Sequence, residues 1–201
     1  MVDSLSYSVG VMIAQGMKSQ GLDNLKAEDL AKGLDDVLKN NPLQIDKDKA
    51  TQIFQNHLMA MKAKESAHLI KPGKDFLEAN AKKEGVVTLS SGLQYLVMKK
   101  GEGAVPKATD KVSVHYHGTL IDGTVFDSSV ERGQPATFPV TGVIKGWVEA
   151  LQLMPTGSKW KLFIPYNLAY GERAAGPKIK PFSTLVFEVE LLSIEGQGTP
   201  E

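Results

Sequence analysis

The chain has 201 residues, of which 42% are hydrophobic and 23% charged, and this composition is typical of one or two globular domains. Its 23 basic and 23 acidic residues give a formal net charge of zero. The overall charge therefore gives no reason to expect nucleic acid or an anionic membrane as a partner. Cysteine is absent, which excludes disulfides, thiolate metal sites and a cysteine nucleophile.

The sequence contains no apolar run long enough for a transmembrane helix, and its first residues lack the basic and apolar regions of a secretion signal. We expect a cytoplasmic protein as the sequence stands. If a signal peptide has been removed, we expect a periplasmic or outer-membrane-associated protein instead.

Apolar residues at helix spacing predict three helical segments in the first part of the chain. The first covers residues 4–19 and the second residues 26–39. The third begins near Asp46, a residue type that caps helices well, and helicity resumes through residues 75–81. Between these parts lies Pro72-Gly73, and an interior proline costs a helix about 3 kcal/mol. We therefore expect a kink or break near Lys71.

Three short helices cannot easily close a core of their own, so a second copy of the chain is the expected cover. Gly10, Gly16 and Gly33 each cost about 1 kcal/mol relative to alanine inside a helix. One interpretation is that they permit close helix crossing at a dimer interface. The other is that they are simply tolerated or mark helix ends.

Residues 89–195 are predicted to be mainly strand. Residues 111–120 alternate with a period of two, and Asp122-Gly123 after them is typical of a hairpin turn. The return strand carries Phe126 and Asp127, which this hairpin brings near Tyr116. A carboxylate beside aromatic residues predicts a mostly apolar pocket with one polar anchor.

Several motifs follow one another in an order that resembles a known family. They comprise Tyr116, Phe126-Asp127, Phe138, Val143-Ile144, Trp147, Tyr170 and Phe187. Through this set, roughly the last 110 residues resemble the FKBP-type peptidyl-prolyl cis–trans isomerases. The helical first part, with Leu5-Ser6-Tyr7-Ser8-Val9-Gly10, resembles the Mip-like (macrophage infectivity potentiator) bacterial members.

The resemblance implies an α+β fold. It consists of an N-terminal all-helical dimerisation domain, a connecting helix, and an FKBP-like twisted antiparallel β-sheet wrapped on a short helix. We expect the dimerisation domain at 1–70, the connecting helix or linker at 71–88, the isomerase domain at 89–195 and a disordered tail at 196–201. The expected assembly is a homodimer through the N-terminal helices.

The resemblance also implies that the chain accelerates rotation of X–Pro bonds in unfolded or partly folded proteins, with chaperone activity and without a cofactor or metal. Asp127, Tyr170, Tyr116 and Phe126 would be the catalytic residues. The substrate-binding set would be Tyr116, Phe126, Asp127, Phe138, Val143, Ile144, Trp147, Tyr170, Ile179 and Phe187. The family's pocket binds the macrolides tacrolimus and rapamycin, so we expect this chain to bind them. Lys178 and Lys180 depart from the family's more apolar loop.

Other interpretations of the same residues stay open at this point. The aromatic residues could simply form an ordinary hydrophobic core. Asp127 could be a turn or cap residue without a role in a pocket. His115 and His117, two apart on one strand face, suit a half-exposed strand better than a metal site, since Asp110 is the only close acid. The pocket could also serve a holdase that binds prolines without catalysis.

Overall fold

The first three elements are helices, and side-chain caps begin two of them. In the computed structural model, which describes residues 2–195, they are α1 (Ser4–Ser19), α2 (Ala27–Leu38) and α3 (Lys47–Asn80). Asp3 accepts the Ser6 N–H at 2.8 Å, and Asp46 accepts the Lys49 N–H at 2.8 Å. The third helix thus begins at the predicted cap. The tail predicted for 196–201 lies outside the described residues.

The chain divides into two compact units, Met1–Met59 and Ala60–Glu201. The first has almost no interior of its own, because Leu22 and Asp36 are the buried residues within residues 2–59. The limits predicted from the sequence, 1–70, 71–88 and 89–195, stay a prediction about independently folding segments.

Of the kink or break predicted near Lys71, the break is wrong, because α3 runs through Pro72 to Asn80. The kink stays a prediction. Packing in the second unit offsets the cost of the proline. Gly73 is buried so tightly that a Cβ there would overlap the Thr184 hydroxyl, and the Phe76 and Phe163 ring centroids lie 6.1 Å apart.

Buried amides hold the end of the same helix. The Asn80 side-chain amide donates to Gln94 Oε1 at 3.0 Å, and the Gln94 amide donates to the Leu77 carbonyl at 2.9 Å. These bonds fix one face of the last turns of α3 to the sheet.

Seven strands form one antiparallel sheet in the order β1-β2-β6-β7-β3-β4, and β5 shares the outer edge of β3 with β4. They are β1 (Val86–Thr88), β2 (Gln94–Lys99), β3 (Lys111–Leu120), β4 (Val125–Ser128), β5 (Ala136–Pro139), β6 (Lys159–Ile164) and β7 (Leu185–Ile194). A short helix, α4 (Lys145–Leu151), packs on one face. The predicted α+β fold is confirmed.

The long central strand β3 follows the predicted alternation. Val112, Val114 and Tyr116 are buried, whereas Ser113 and His115 between them are half-buried. The predicted turn after β3 is also present. Gly123 has a φ of 87°, and the Asp122 carboxylate accepts the Thr124 N–H at 2.9 Å.

The contact between α3 and the sheet can be tested at Gly73. Gly73→Ala should destabilise the full-length protein by about 1–3 kcal/mol, because the methyl group overpacks against Thr184. Helix propensity alone would instead predict that Gly73→Ala increases the free energy of unfolding by about 1 kcal/mol. Urea unfolding of the single variant and of Gly73→Ala with Thr184→Ala measures the effect. The second substitution removes the hydroxyl and should recover much of the loss. A Gly73→Ala protein as stable as the wild type would contradict this packing.

Candidate functional site

Six segments of the second unit meet at one cavity of about 650 Å³. Strands β3, β4, β5 and β7 contribute Tyr116, Phe126-Asp127, Phe138 and Phe187. The other two segments are the start of α4 with its preceding loop and the loop between β6 and β7. They supply Val143, Ile144, Trp147, Tyr170 and Ile179. The fold thus brings all ten residues of the predicted substrate-binding set to one cavity.

Trp147 lies at the centre of the aromatic lining and is 4% exposed. Its ring packs edge-on against Tyr116, Phe138 and Phe187 at centroid distances of 5.4, 6.0 and 5.2 Å. Each such pair adds about 0.5–1.5 kcal/mol beyond the area it buries. The rings of the lining thus pack on one another as one aromatic cluster.

Gly118 makes room for two of the rings. A Cβ at this position would lie 2.7 Å from Phe126 and 2.8 Å from Phe187, closer than packed carbons approach. The two rings meet edge-on at 5.3 Å directly beside it. The missing side chain at Gly118 thus shapes one wall of the cavity.

Asp127 is the carboxylate of the cavity, and two side chains bind it. The Tyr116 hydroxyl donates to one oxygen and the Arg132 guanidinium to the other. Arg132 also donates to the Tyr116 hydroxyl at 2.9 Å and lies 5.6 Å from the centre of the Tyr116 ring. The three side chains form a closed network at the cavity wall.

This network keeps both acidic groups in their ordinary forms at neutral pH. Burial acts to raise the pKa of Asp127, but the hydrogen bonds from Tyr116 and Arg132 and the arginine charge outweigh it, so this pKa is lowered. Burial and the hydrogen bond to Asp127 raise the pKa of Tyr116. Asp127 is therefore a carboxylate and Tyr116 a neutral phenol at neutral pH.

Sequence reasoning missed Arg132 and part of the lining. Arg132 lies in the turn after β4, where no strand or helix periodicity places its side chain. No pattern in the sequence therefore indicates that it meets Asp127. The unpredicted lining residues are Gly142, Ala175, Gly176, Pro177 and Lys178.

The two strand histidines point away from the cavity. His115 Nδ1 lies 3.2 Å from the Ser129 hydroxyl, and His117 Nδ1 lies 3.0 Å from the Ser128 hydroxyl. Within residues 2–195, no cluster of three or more potential ligand side chains is arranged to hold a metal. None of the helices in that range combines the length and apolarity needed to cross a bilayer.

Comparison with known proteins shows the family of this chain. Residues 102–192 match the family model described as FKBP-type peptidyl-prolyl cis-trans isomerase, and residues 2–97 match the domain amino-terminal to it. The FKBP-type 22 kDa peptidyl-prolyl cis-trans isomerase of Escherichia coli is 52% identical, and the alignment covers 94% of this chain and 93% of that protein. The chain belongs to the FKBP-type peptidyl-prolyl cis–trans isomerase family.

Other relatives align with nearly the whole chain, so the similarity includes both its helical and its sheet parts. The outer membrane protein MIP of Legionella longbeachae is 44% identical over 96% of this chain and 85% of its own length. The crystal structure of FkpA from Escherichia coli aligns with a TM-score of 0.63 and 39% identity, over 95% of this chain and 93% of that one. The predicted resemblance to Mip-like members is confirmed, and with it the enzyme class.

The contact between Arg132 and Asp127 leads to a prediction about the pKa of the Asp127 carboxyl group. Arg132→Met should raise the pKa of Asp127, because the substitution removes one hydrogen bond and one positive charge. A carboxyl with a lowered pKa protonates only at unusually low pH, so in the variant protonation should begin at higher pH. Carbon-13 NMR titration of the Asp127 carboxyl measures this.

The stability cost of Arg132→Met should be small, since Arg132 and Asp127 are 52% and 44% exposed and solvent screens their ion pair. Arg173→Met, which changes the other arginine of the chain, serves as the control. Equal Asp127 titrations in the wild type and Arg132→Met would show that the ion pair is absent in solution.

Proposed function

We propose that the cavity around Trp147 is the catalytic site of this isomerase and that it acts by binding the twisted X–Pro amide. Rotation about a peptide bond has a barrier of about 18–20 kcal/mol, because it interrupts amide resonance. The twisted amide has lost its charge-separated resonance form and is less polar than either planar form. An apolar site therefore favours it, and differential binding of this kind lowers the barrier. The observation that carries the proposal is the closely packed aromatic lining with one carboxylate at its wall.

In this proposal Trp147 forms the floor under the proline ring. The walls are Tyr116, Phe138, Val143, Ile144 and Phe187, and Ile179 closes one side. These side chains are large and have no acid–base function at neutral pH, which suits a reaction that transfers no proton.

Asp127 would act through its charge. As a carboxylate held by Tyr116 and Arg132, it has no proton to donate at neutral pH. Its negative charge can face the twisted carbonyl carbon, and it also fixes the Tyr116 ring. Phe126, the preceding residue on β4, would pack against the substrate at the same wall.

Two groups near the opening are candidates for holding substrate carbonyls. Tyr170 is 43% exposed, so its hydroxyl can reach a bound peptide. Ile144 is the extended N-cap residue of α4, and its N–H therefore lies outside the hydrogen bonding of that helix.

The role of Asp127 is tested by Asp127→Asn. The variant keeps the shape of the side chain but loses the charge and the pairing with Arg132. We expect kcat/KM on an Ala-Leu-Pro-Phe peptide to fall about tenfold or more, a loss equivalent to about 1.4 kcal/mol of barrier. A protease-coupled assay measures it.

Asp122→Asn is the matched control for this substitution, because it makes the same change in the turn of the same hairpin and asparagine also suits that turn. Unchanged activity in Asp127→Asn would remove the catalytic role. No rate increase by the wild type would favour the alternative of a non-catalytic proline-binding holdase. Tacrolimus and rapamycin should inhibit the wild type by occupying the same cavity.

We further propose that the first unit forms a homodimer. Helix α1 has apolar residues on two faces, with Leu5, Val9 and Met12 on one and Tyr7 and Val11 on the other, all between 39% and 74% exposed. Exposed apolar side chains on two faces of one helix are normally covered by a partner. A second copy of the chain is the cover we propose, and unit 2–59 has too small an interior to be stable without one.

The glycines of these helices fit the same proposal. A Cβ on Gly10, Gly16 or Gly33 would meet nothing within 4 Å outside its own helix backbone and chain neighbours among residues 2–195. No such contact in that range requires glycine at these positions, whereas close approach of a second helix would.

Dimerisation is tested by charging one face of α1. Leu5→Glu with Met12→Glu should give a monomer in sedimentation equilibrium, because two carboxylates would be buried at the interface. Ser8→Glu with Gln15→Glu places the same charges at the same seven-residue spacing on polar positions and should stay dimeric. A dimeric Leu5/Met12 variant would contradict the proposed interface.

A dimer would present two catalytic cavities to one unfolded client, and we propose that this arrangement underlies chaperone activity. Short-peptide isomerisation should not depend on dimerisation, whereas refolding of a large client should. The compartment stays a prediction, cytoplasmic as the sequence stands and periplasmic or outer-membrane-associated if a leader was removed.

A further inference from the structure

The charges around the cavity do not cancel. Asp127 and Lys178 are the residues lining it that are charged at neutral pH. The Asp127 charge is balanced by Arg132. Lys178 forms no ion pair with any residue in the range 2–195. One unbalanced positive charge therefore lies at the wall of the cavity.

The position of this charge is fixed by a hydrogen bond. Lys178 is exposed in the loop between β6 and β7, and its ammonium group donates to the Val125 carbonyl at 2.6 Å. Val125 directly precedes Phe126 and Asp127 on β4. The side chain thus reaches from the loop to the strand that carries the proposed catalytic carboxylate.

This hydrogen bond leaves the ammonium group able to bind a further partner. An ammonium group has three N–H donors, and the Val125 carbonyl takes one of them. Because the side chain is already held in place, a new ion pair costs less side-chain entropy than it would with an unrestrained lysine.

We propose that Lys178 is a specificity-determining residue, which makes this isomerase prefer substrates with an aspartate or glutamate next to the proline and disfavour those with a lysine or arginine there. The proposal rests on the cavity around Trp147 being the catalytic site. A peptide seated with its proline on Trp147 places the side chains beside the proline at the opening, where Lys178 lies. A carboxylate there gains an ion pair, and a cation meets repulsion.

The expected size of this charge preference follows from the exposure of Lys178. Measured exposed ion pairs correspond to factors of roughly 1.5 to 5 in an equilibrium constant, and salt screens them. We therefore expect kcat/KM for a glutamate peptide to exceed that for the matching lysine peptide by about twofold to tenfold at low salt. The ratio should approach one at high salt.

The test uses the full-length protein and short peptides with leucine, glutamate or lysine placed before or after the proline. Protease-free NMR exchange measurements give kcat/KM for each peptide. Lys178→Met should abolish the glutamate-over-lysine preference, which is measured as the ratio of the two kcat/KM values in the same variant. Lys180→Met is the matched control, because Lys180 belongs to the same loop and does not line the cavity. It should keep the preference.

The outcomes distinguish a failure of the proposed catalytic site from a failure of the proposed role of Lys178. If the wild type does not act on the leucine peptide, the proposed catalytic site is wrong. If the leucine peptide is turned over but the wild type has no charge preference, or Lys178→Met keeps it, the role of Lys178 is overturned. An equal loss of preference in Lys180→Met would also overturn it, since the effect would then come from the general charge of the loop.

Discussion

Trp147 belongs to α4 and packs edge-on against rings from β3, β5 and β7. These contacts fix the short helix on the sheet and at the same time form the floor of the cavity. Gly146 permits this placement, because a Cβ there would lie 2.6 Å from Ile164 of β6. The core of the second unit and its cavity therefore depend on the same packing, and a change at Trp147 would affect both stability and binding.

The apolar floor explains why Asp127 needs the hydrogen bonds from Tyr116 and Arg132. A carboxylate beside aromatic rings loses hydration, which by itself would favour its neutral form. Tyr116 and Arg132 replace the lost water with hydrogen bonds and a charge, so Asp127 remains ionised. The cavity can thus keep a fixed negative charge without a group that exchanges protons near neutral pH. This arrangement suits a bond rotation, in which no atom is transferred.

Much of the fold and the cavity could be predicted. Some of the informative residues lie close together in the sequence, and the others follow the order of the family's motifs. Alternation along β3 and the Asp122-Gly123 turn placed Tyr116 near Asp127 without knowledge of the rest. Family resemblance then supplied the distant members, such as Phe187. Arg132 was missed because its side chain returns to Tyr116 from an irregular turn. The break at Pro72 was wrong because local helix rules do not include the packing of Gly73 on Thr184, a residue more than one hundred positions later.

We propose that the cavity catalyses rotation by desolvation and fixed charge, without proton transfer. This proposal can be tested by comparing kcat/KM on a leucyl-prolyl peptide in ordinary and heavy water across the neutral pH range. We expect equal rates in the two solvents and a flat pH profile in that range, because Asp127 stays ionised and Tyr116 stays protonated. A clearly slower reaction in heavy water, with a bell-shaped pH profile, would show instead that a proton moves in the rate-limiting step.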